Sequence, residues 1–107
     1  MREPKSDAAS TFGGRVREHR QRLGISQETL AELSGVHWTF VGQVERGTRN
    51  LSLHNIIKLA GGLDIDPAVL VSGITASMVP EETRAPSAAE RILSERRSQQ
   101  DGAEPVA

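Results

Sequence analysis

The chain has 107 residues, 36% of them hydrophobic, and a formal net charge of −1. That length gives room for one compact domain, and the hydrophobic share is low enough to leave part of the chain outside a core. No cysteine occurs, which excludes disulfides and thiolate metal sites and makes a reducing cytosol the expected location. No apolar run approaches the roughly 20 residues of a membrane span, and the opening MREPKSDAAS lacks the apolar stretch of a signal peptide.

A net charge near zero does not announce a nucleic-acid binder, but a local basic patch can exist on a neutral protein. Residues 12–72 carry Arg15, Arg17, Arg20, Arg22, Arg46, Arg49 and Lys58 against Glu18, Glu28, Glu32, Glu45, Asp64 and Asp66. Residues 73–107 carry more acids than bases, so the acidity lies in the tail.

Taken in order, residues 1–10 are polar and aperiodic and read as a flexible N-terminal arm. From about Thr11 to Leu23 the spacing predicts a helix with Phe12, Val16, His19, Arg20 and Leu23 along one side, closed by Gly24. Ser26 then caps a second helix whose apolar side is Leu30, Ala31 and Leu33, with Glu28 favourably placed in its first turn. Gly35 ends it, in a turn that calls for a positive φ.

A third helix follows from about His37 to Arg46, burying Val41 and Val44 and turning His37, Trp38, Thr39, Gly42 and Gln43 outward. After the loop GTRN, Ser52 caps a fourth helix carrying Leu53, Ile56, Ile57, Leu59 and Ala60, which Gly61 and Gly62 close. Asp66-Pro67 is a cap followed by a proline at the first helical position, opening a fifth helix to about Val71. The fold class is therefore all-α, a compact five-helix domain over residues 11–73 with a candidate additional C-terminal helix. In that extra helix, SAAERILSERRSQQ, Ser87 and Glu90 form a capping-box pattern. Ala89, Ile92, Leu93 and Arg96 share one side of it. Residues 74–107 read as a dimerisation extension and a largely flexible tail.

Two short amphipathic helices joined by a tight turn, over Ser26 to Gly47, are the arrangement that seats one helix in the major groove of DNA. The residues support a more specific likeness. The run S-Q-E-T-L-A-E-L-S-G-V followed by V-x-x-V-E-R-G-T-R-N-L-S-L resembles the Cro/lambda-repressor-like (XRE) helix-turn-helix family across about residues 12–72. Within it, the Arg-Asn-Leu-Ser loop looks most like small restriction–modification controller proteins. The small Ala31 suits a close crossing of the second and third helices, with Leu30, Val36, Val41 and Val44 as the wedge between them. His19 departs from the aliphatic residue usual in the family, and a partly buried histidine is the expectation.

The resemblance implies an ion pair between Arg20 and Glu45, tying the first helix to the third. It assigns Trp38, Thr39 and Gln43 to base edges: Gln43 matches adenine bidentately, and Thr39 offers a hydroxyl or a methyl. Phosphate contacts fall to Gln27 at the start of the second helix and to Arg46, Arg49, Asn50 and Ser52. A single module contacts few phosphates, and the family solution is a two-fold homodimer on a palindromic operator. Val69, Leu70, Val71, Ile74 and Met78 form the apolar surplus expected to bury that dimer interface, so that Leu70→Glu gives a folded monomer.

The expected function is thus a sequence-specific transcriptional regulator of double-stranded DNA, a repressor-like, nucleoid-associated protein without cofactor, metal or membrane association. RNA polymerase is a candidate further partner, through Glu28 and Glu32. The alternative is an antitoxin or other protein-interaction module on the same fold, with the C-terminal segment holding a partner protein. An enzyme is disfavoured because no convergent acid, base or nucleophile set is present.

Overall fold

The computed structural model describes residues 3–102, and no strand occurs among them. Five helices enclose the core: α1 (Asp7–Leu23), α2 (Gln27–Ser34), α3 (Trp38–Glu45), α4 (Leu53–Leu63) and α5 (Pro67–Val71). Two short 3-10 turns, Ala76–Met78 and Glu81–Thr83, lead to α6 (Ala88–Gly102).

Side-chain caps define most of the helix starts. The hydroxyls of Ser26 and Ser52 accept from the backbone N–H of Thr29 at 3.0 Å and of Asn55 at 3.2 Å. The Asp66 carboxylate accepts from Ala68 N–H at 2.9 Å, with Pro67 opening α5. Each satisfies a donor that the first turn of a helix leaves unpaired. Gly35 takes φ +68° between α2 and α3. This left-handed conformation lets the chain reverse within one residue, and a Cβ there would strain it.

The core is built from Phe12, Val16, Leu30, Ala31, Phe40, Val41, Val44, Leu59, Ala60, Leu63 and Leu70, with Ile25, Val36, Leu51, Ile56, Ile65 and Ile74 packed around it. α3 rests on α1 and α2, and α4 packs against α2 and α5. Gly13 sets the closeness of the α1–α3 crossing: a Cβ there would collide with the carbonyl oxygen of Val44 and lie 3.0 Å from that of Glu45. Arg15 ties α1 to the end of α5 by donating to the carbonyls of Leu70, at 3.2 Å, and Ser72.

Several sequence expectations need correction. The arm is shorter than ten residues, because Ser6 caps α1 by accepting from Ala9 N–H at 3.0 Å and the helix begins at Asp7. Lys5 N–H also donates to Gly47 O at 2.8 Å, pinning the segment before α1 to the end of α3. Leu33 is 60% exposed and Leu23 is exposed as well, since each lies off the buried side of its helix. Gly61 and Gly62 lie inside α4, which ends at Asp64 in a left-handed conformation. The closing signal misled because Gly62 serves the α2–α4 crossing, where a Cβ would strike Ser34 Oγ.

The largest correction concerns Leu70. It is fully buried in the monomer's own core, so it does not belong to an exposed surplus, and Leu70→Glu would attack folding rather than dimerisation. Val69 and Val71 are exposed, while Ile74 and Met78 are half-buried. The capping box of α6 forms, with Glu90 N–H donating to Ser87 Oγ at 3.2 Å and Ser87 N–H to the Glu90 carboxylate at 3.1 Å. Residues 84–100 are exposed throughout, Ile92 and Leu93 included. The boundary between core and tail thus falls after the second 3-10 turn, and residues 103–107 lie outside the described residues.

Candidate nucleic-acid interface

The element that carries the site is α3, and its inner side is fixed by burial. Phe40, Val41 and Val44 face the core. Phe40, unassigned by the sequence reading, is covered on its outer side by the Arg49 guanidinium, 5.3 Å from the ring centroid. Such a contact holds a cation in place while leaving its charge available at the surface.

Behind α3 stands a buried polar cluster. Arg20 Nε donates to Glu45 Oε2 at 2.7 Å and Arg20 Nη2 to Glu45 Oε1 at 2.9 Å, a bidentate arrangement. Arg20 Nη1 donates to the carbonyl of Ile25 at 2.9 Å. The Glu45 side chain is 3% exposed and that of Arg20 13%. The hydrogen bonding of the guanidinium to Glu45 is the main reason its pKa is raised; burial opposes it, and the carboxylate's charge adds to it. One pair therefore fixes the end of α3 to α1 and to the turn entering α2.

Gln27 joins this cluster. Its side-chain amide donates to Glu45 Oε1 at 3.1 Å, so one of its two amide protons is directed inward rather than toward a ligand. Gly42 is a second departure from expectation: it is buried, not outward, with Gln27 Oε1 and Arg46 Nη1 3.4 and 3.2 Å from where a Cβ would sit. The absent side chain lets Gln27 and Arg46 lie across α3.

At the start of α3 the cap is His37, whose Nδ1 accepts from Thr39 N–H at 3.2 Å and lies 2.7 Å from Thr39 Oγ1. The His37 and Trp38 rings stack at 5.9 Å between centroids. Trp38 is 55% exposed, Thr39 is exposed and Gln43 half-buried. Histidine is not among the usual N-cap residues, so the helical pattern alone puts His37 with the outward residues and does not reveal that it caps α3.

At the other end, Arg46, Arg49 and Asn50 are exposed and Ser52 caps α4. Ser52 accepts with its oxygen there, and its hydroxyl proton remains a donor. Lys5, pinned through its backbone N–H to the Gly47 carbonyl, lies at this same end. Arg15 and Glu45, in contrast, are engaged within the fold and have no free role at the surface. His19 is half-buried, and no group of metal-ligating residues occurs among the described residues. No described helix is long and apolar enough to cross a membrane.

A capped helix held by Gly35 and a buried ion pair, with its polar side outward and cations at its end, is the helix-turn-helix arrangement. The helix-turn-helix family model matches residues 16–70, and the chain belongs to that family of DNA-binding transcriptional regulators of the XRE type. It is 42% identical over 65 residues to control protein C.BamHI of Bacillus amyloliquefaciens, a match covering 60% of this chain and 80% of the relative. Control protein C.SmaI of Serratia marcescens is 43% identical over 58 residues, covering 54% of this chain and 69% of the relative. Among solved structures, the restriction–modification controller protein C.AhdI of Aeromonas hydrophila superposes with a TM-score of 0.57 at 58% identity, covering 58% of this chain and 94% of that one. The matched family region ends before α6 begins.

Proposed function

We propose that this protein regulates transcription as a homodimer on a palindromic operator, with α3 of each copy in the major groove. The observation that carries the reading is the division of α3: Phe40, Val41 and Val44 are locked in the core while Trp38, Thr39 and the Gln43 side chain remain at the surface. A rigid helix spends no ordering entropy on docking. Gln43 matches adenine N6 and N7, and Trp38 has an apolar face for a thymine methyl or a sugar.

Gln27, Arg46, Arg49, Asn50 and Ser52 are assigned to phosphates. Gln27 retains one amide proton for this purpose, and Arg49 is held in position by Phe40. The likeness to control proteins of restriction–modification systems supports the narrower reading that the regulated genes belong to such a system. Action at the nucleoid follows from the ligand.

The dimer interface is assigned to Val69, Val71, Ile74 and Met78. Val71 and Ile74 continue into an open groove of about 460 Å³ shared with Phe12, Ile56 and Val79. On a palindromic operator such a dimer must hold its two α3 helices one DNA turn apart, about 34–36 Å.

Selection of bound fragments from a random duplex pool tests the reading. A palindromic motif should emerge, and Gln43→Ala should relax one base pair per half-site by about 1–3 kcal/mol. Arg49→Ala should weaken all sequences alike and reduce the salt slope. Recovery of no motif at low salt, or a motif unchanged by Gln43→Ala, would overturn the assignment. The exposed Ile92 and Leu93 on α6 favour a second role in holding a partner protein. A chain ending at residue 86 should then keep operator binding and lose the partner.

A further inference from the structure

The reading of α3 as the groove element leaves open what the Thr39 hydroxyl presents to a base, and its contact with His37 answers that. Threonine alone is ambiguous, because its hydroxyl both donates and accepts and pairs with any base edge. Here two groups of Thr39 converge on one ring nitrogen: the backbone N–H at 3.2 Å and Oγ1 at 2.7 Å, both at His37 Nδ1.

A backbone amide carries a fixed proton and can point only at a lone pair. Nδ1 is therefore the unprotonated nitrogen of the ring, and Nε2 carries the proton. With Nδ1 bearing no hydrogen, the contact with Oγ1 requires the hydroxyl to be the donor. Its proton is committed to the histidine, and the oxygen faces outward with lone pairs alone. Stacking on Trp38 limits the turning of the imidazole that would release it.

We propose that His37 is a positioning residue for specificity: it fixes the Thr39 hydroxyl as an acceptor, so that Thr39 selects a base presenting a donor in the major groove. Adenine N6 and cytosine N4 are the donors there, whereas guanine and thymine present oxygen acceptors. The inference rests on the proposal that α3 reads the major groove. It adds a rule that the residue types on α3 do not contain.

The test is selection from a random duplex pool by the full chain and by His37→Ala, His37→Asn and Thr39→Val, with thermal unfolding of each protein in parallel. In the parent protein, one position per half-site should favour adenine or cytosine by about fivefold, the worth of one hydrogen bond. Thr39→Val should abolish that preference. His37→Ala should level it while leaving the Gln43-dependent position unchanged, and His37→Asn, whose side-chain oxygen can accept both Thr39 protons, should restore it.

A His37→Ala profile identical to the parent's would overturn the proposal and leave the regulator reading intact. A uniform loss across all positions would also overturn it, by making His37 a helix cap and nothing more. Failure of the parent to enrich any sequence would instead remove the regulator reading, and this inference with it.

Discussion

Replacing Arg20 with Met probes the joint that holds α3 in place. The substitution keeps the length and apolar stem of the side chain while removing three hydrogen bonds, two to Glu45 and one to the Ile25 carbonyl. Among the described residues Glu45 is left with Gln27 as its single side-chain partner, in a site where its side chain is 3% exposed. A carboxylate stranded in this way costs about 3–5 kcal/mol, against under about 1 kcal/mol for a surface pair. Small domains have about 5–15 kcal/mol of stability in all, so the variant should sit close to unfolding. At about 4–8 °C per kcal/mol, calorimetry should show the melting temperature lowered by roughly 12–40 °C. The double variant Arg20→Met/Glu45→Met, which buries no charge, should be more stable than Arg20→Met alone. Because the folded state holds the Arg20 proton more tightly than the unfolded state, its contribution is complete below the usual arginine range and declines only above it; the Arg20 effect should therefore be constant across neutral and mildly alkaline pH. A loss under about 1 kcal/mol for Arg20→Met would show that the pair behaves as a solvated one and does not fix α3.

Three further outcomes follow from the packing. Ser34 Oγ is buried without a hydrogen-bond partner among the described residues, so Ser34→Ala should stabilise by about 1 kcal/mol in urea unfolding; destabilisation would mean that the hydroxyl is satisfied. Gly13→Ala should cost at least about 1–3 kcal/mol by forcing α1 off the Val44 carbonyl, whereas Gly14→Ala, with open space around it, should gain up to about 1 kcal/mol from helix propensity. Equal effects at the two glycines would refute the close crossing. Leu70→Ala should lower stability by about 2–5 kcal/mol, while Val69→Glu should leave the fold intact and give monomers in analytical ultracentrifugation; a dimeric Val69→Glu would remove the α5 face as the interface.

Local chemistry made much of this fold legible. Ser26, Ser52 and Asp66-Pro67 announce helix starts, and Gly24 and Gly35 announce stops, because these residues act on backbone groups within a few positions. The Arg20–Glu45 pair was visible only through the family resemblance, since nothing in a 25-residue separation states a contact. What could not be read depends on how helices meet. Gly62 looked like a terminator because its service to Ser34 lies across a helix crossing. Leu70 looked like surplus because α5 is short and one side of it closes the core. Leu33 looked buried although α2 turns it to solvent. At the site, Gly42 was assigned outward by position along a helix and Gln27 to a phosphate, but Gly42 is buried and the buried Glu45 carboxylate draws the Gln27 amide toward the fold. His37 was missed as a cap because its ring nitrogen does the work usually done by a serine or aspartate oxygen.

The central claim is that two copies of α3 enter the major groove one helical turn apart. Methylation interference on a selected operator addresses it directly, since methyl groups at guanine N7 project into the major groove and those at adenine N3 into the minor groove. The account predicts that N7 methylation blocks binding at two symmetric clusters about 10 base pairs apart, with little effect of N3 methylation at the same steps. Interference confined to adenine N3, or a single cluster without a symmetric mate, would contradict it.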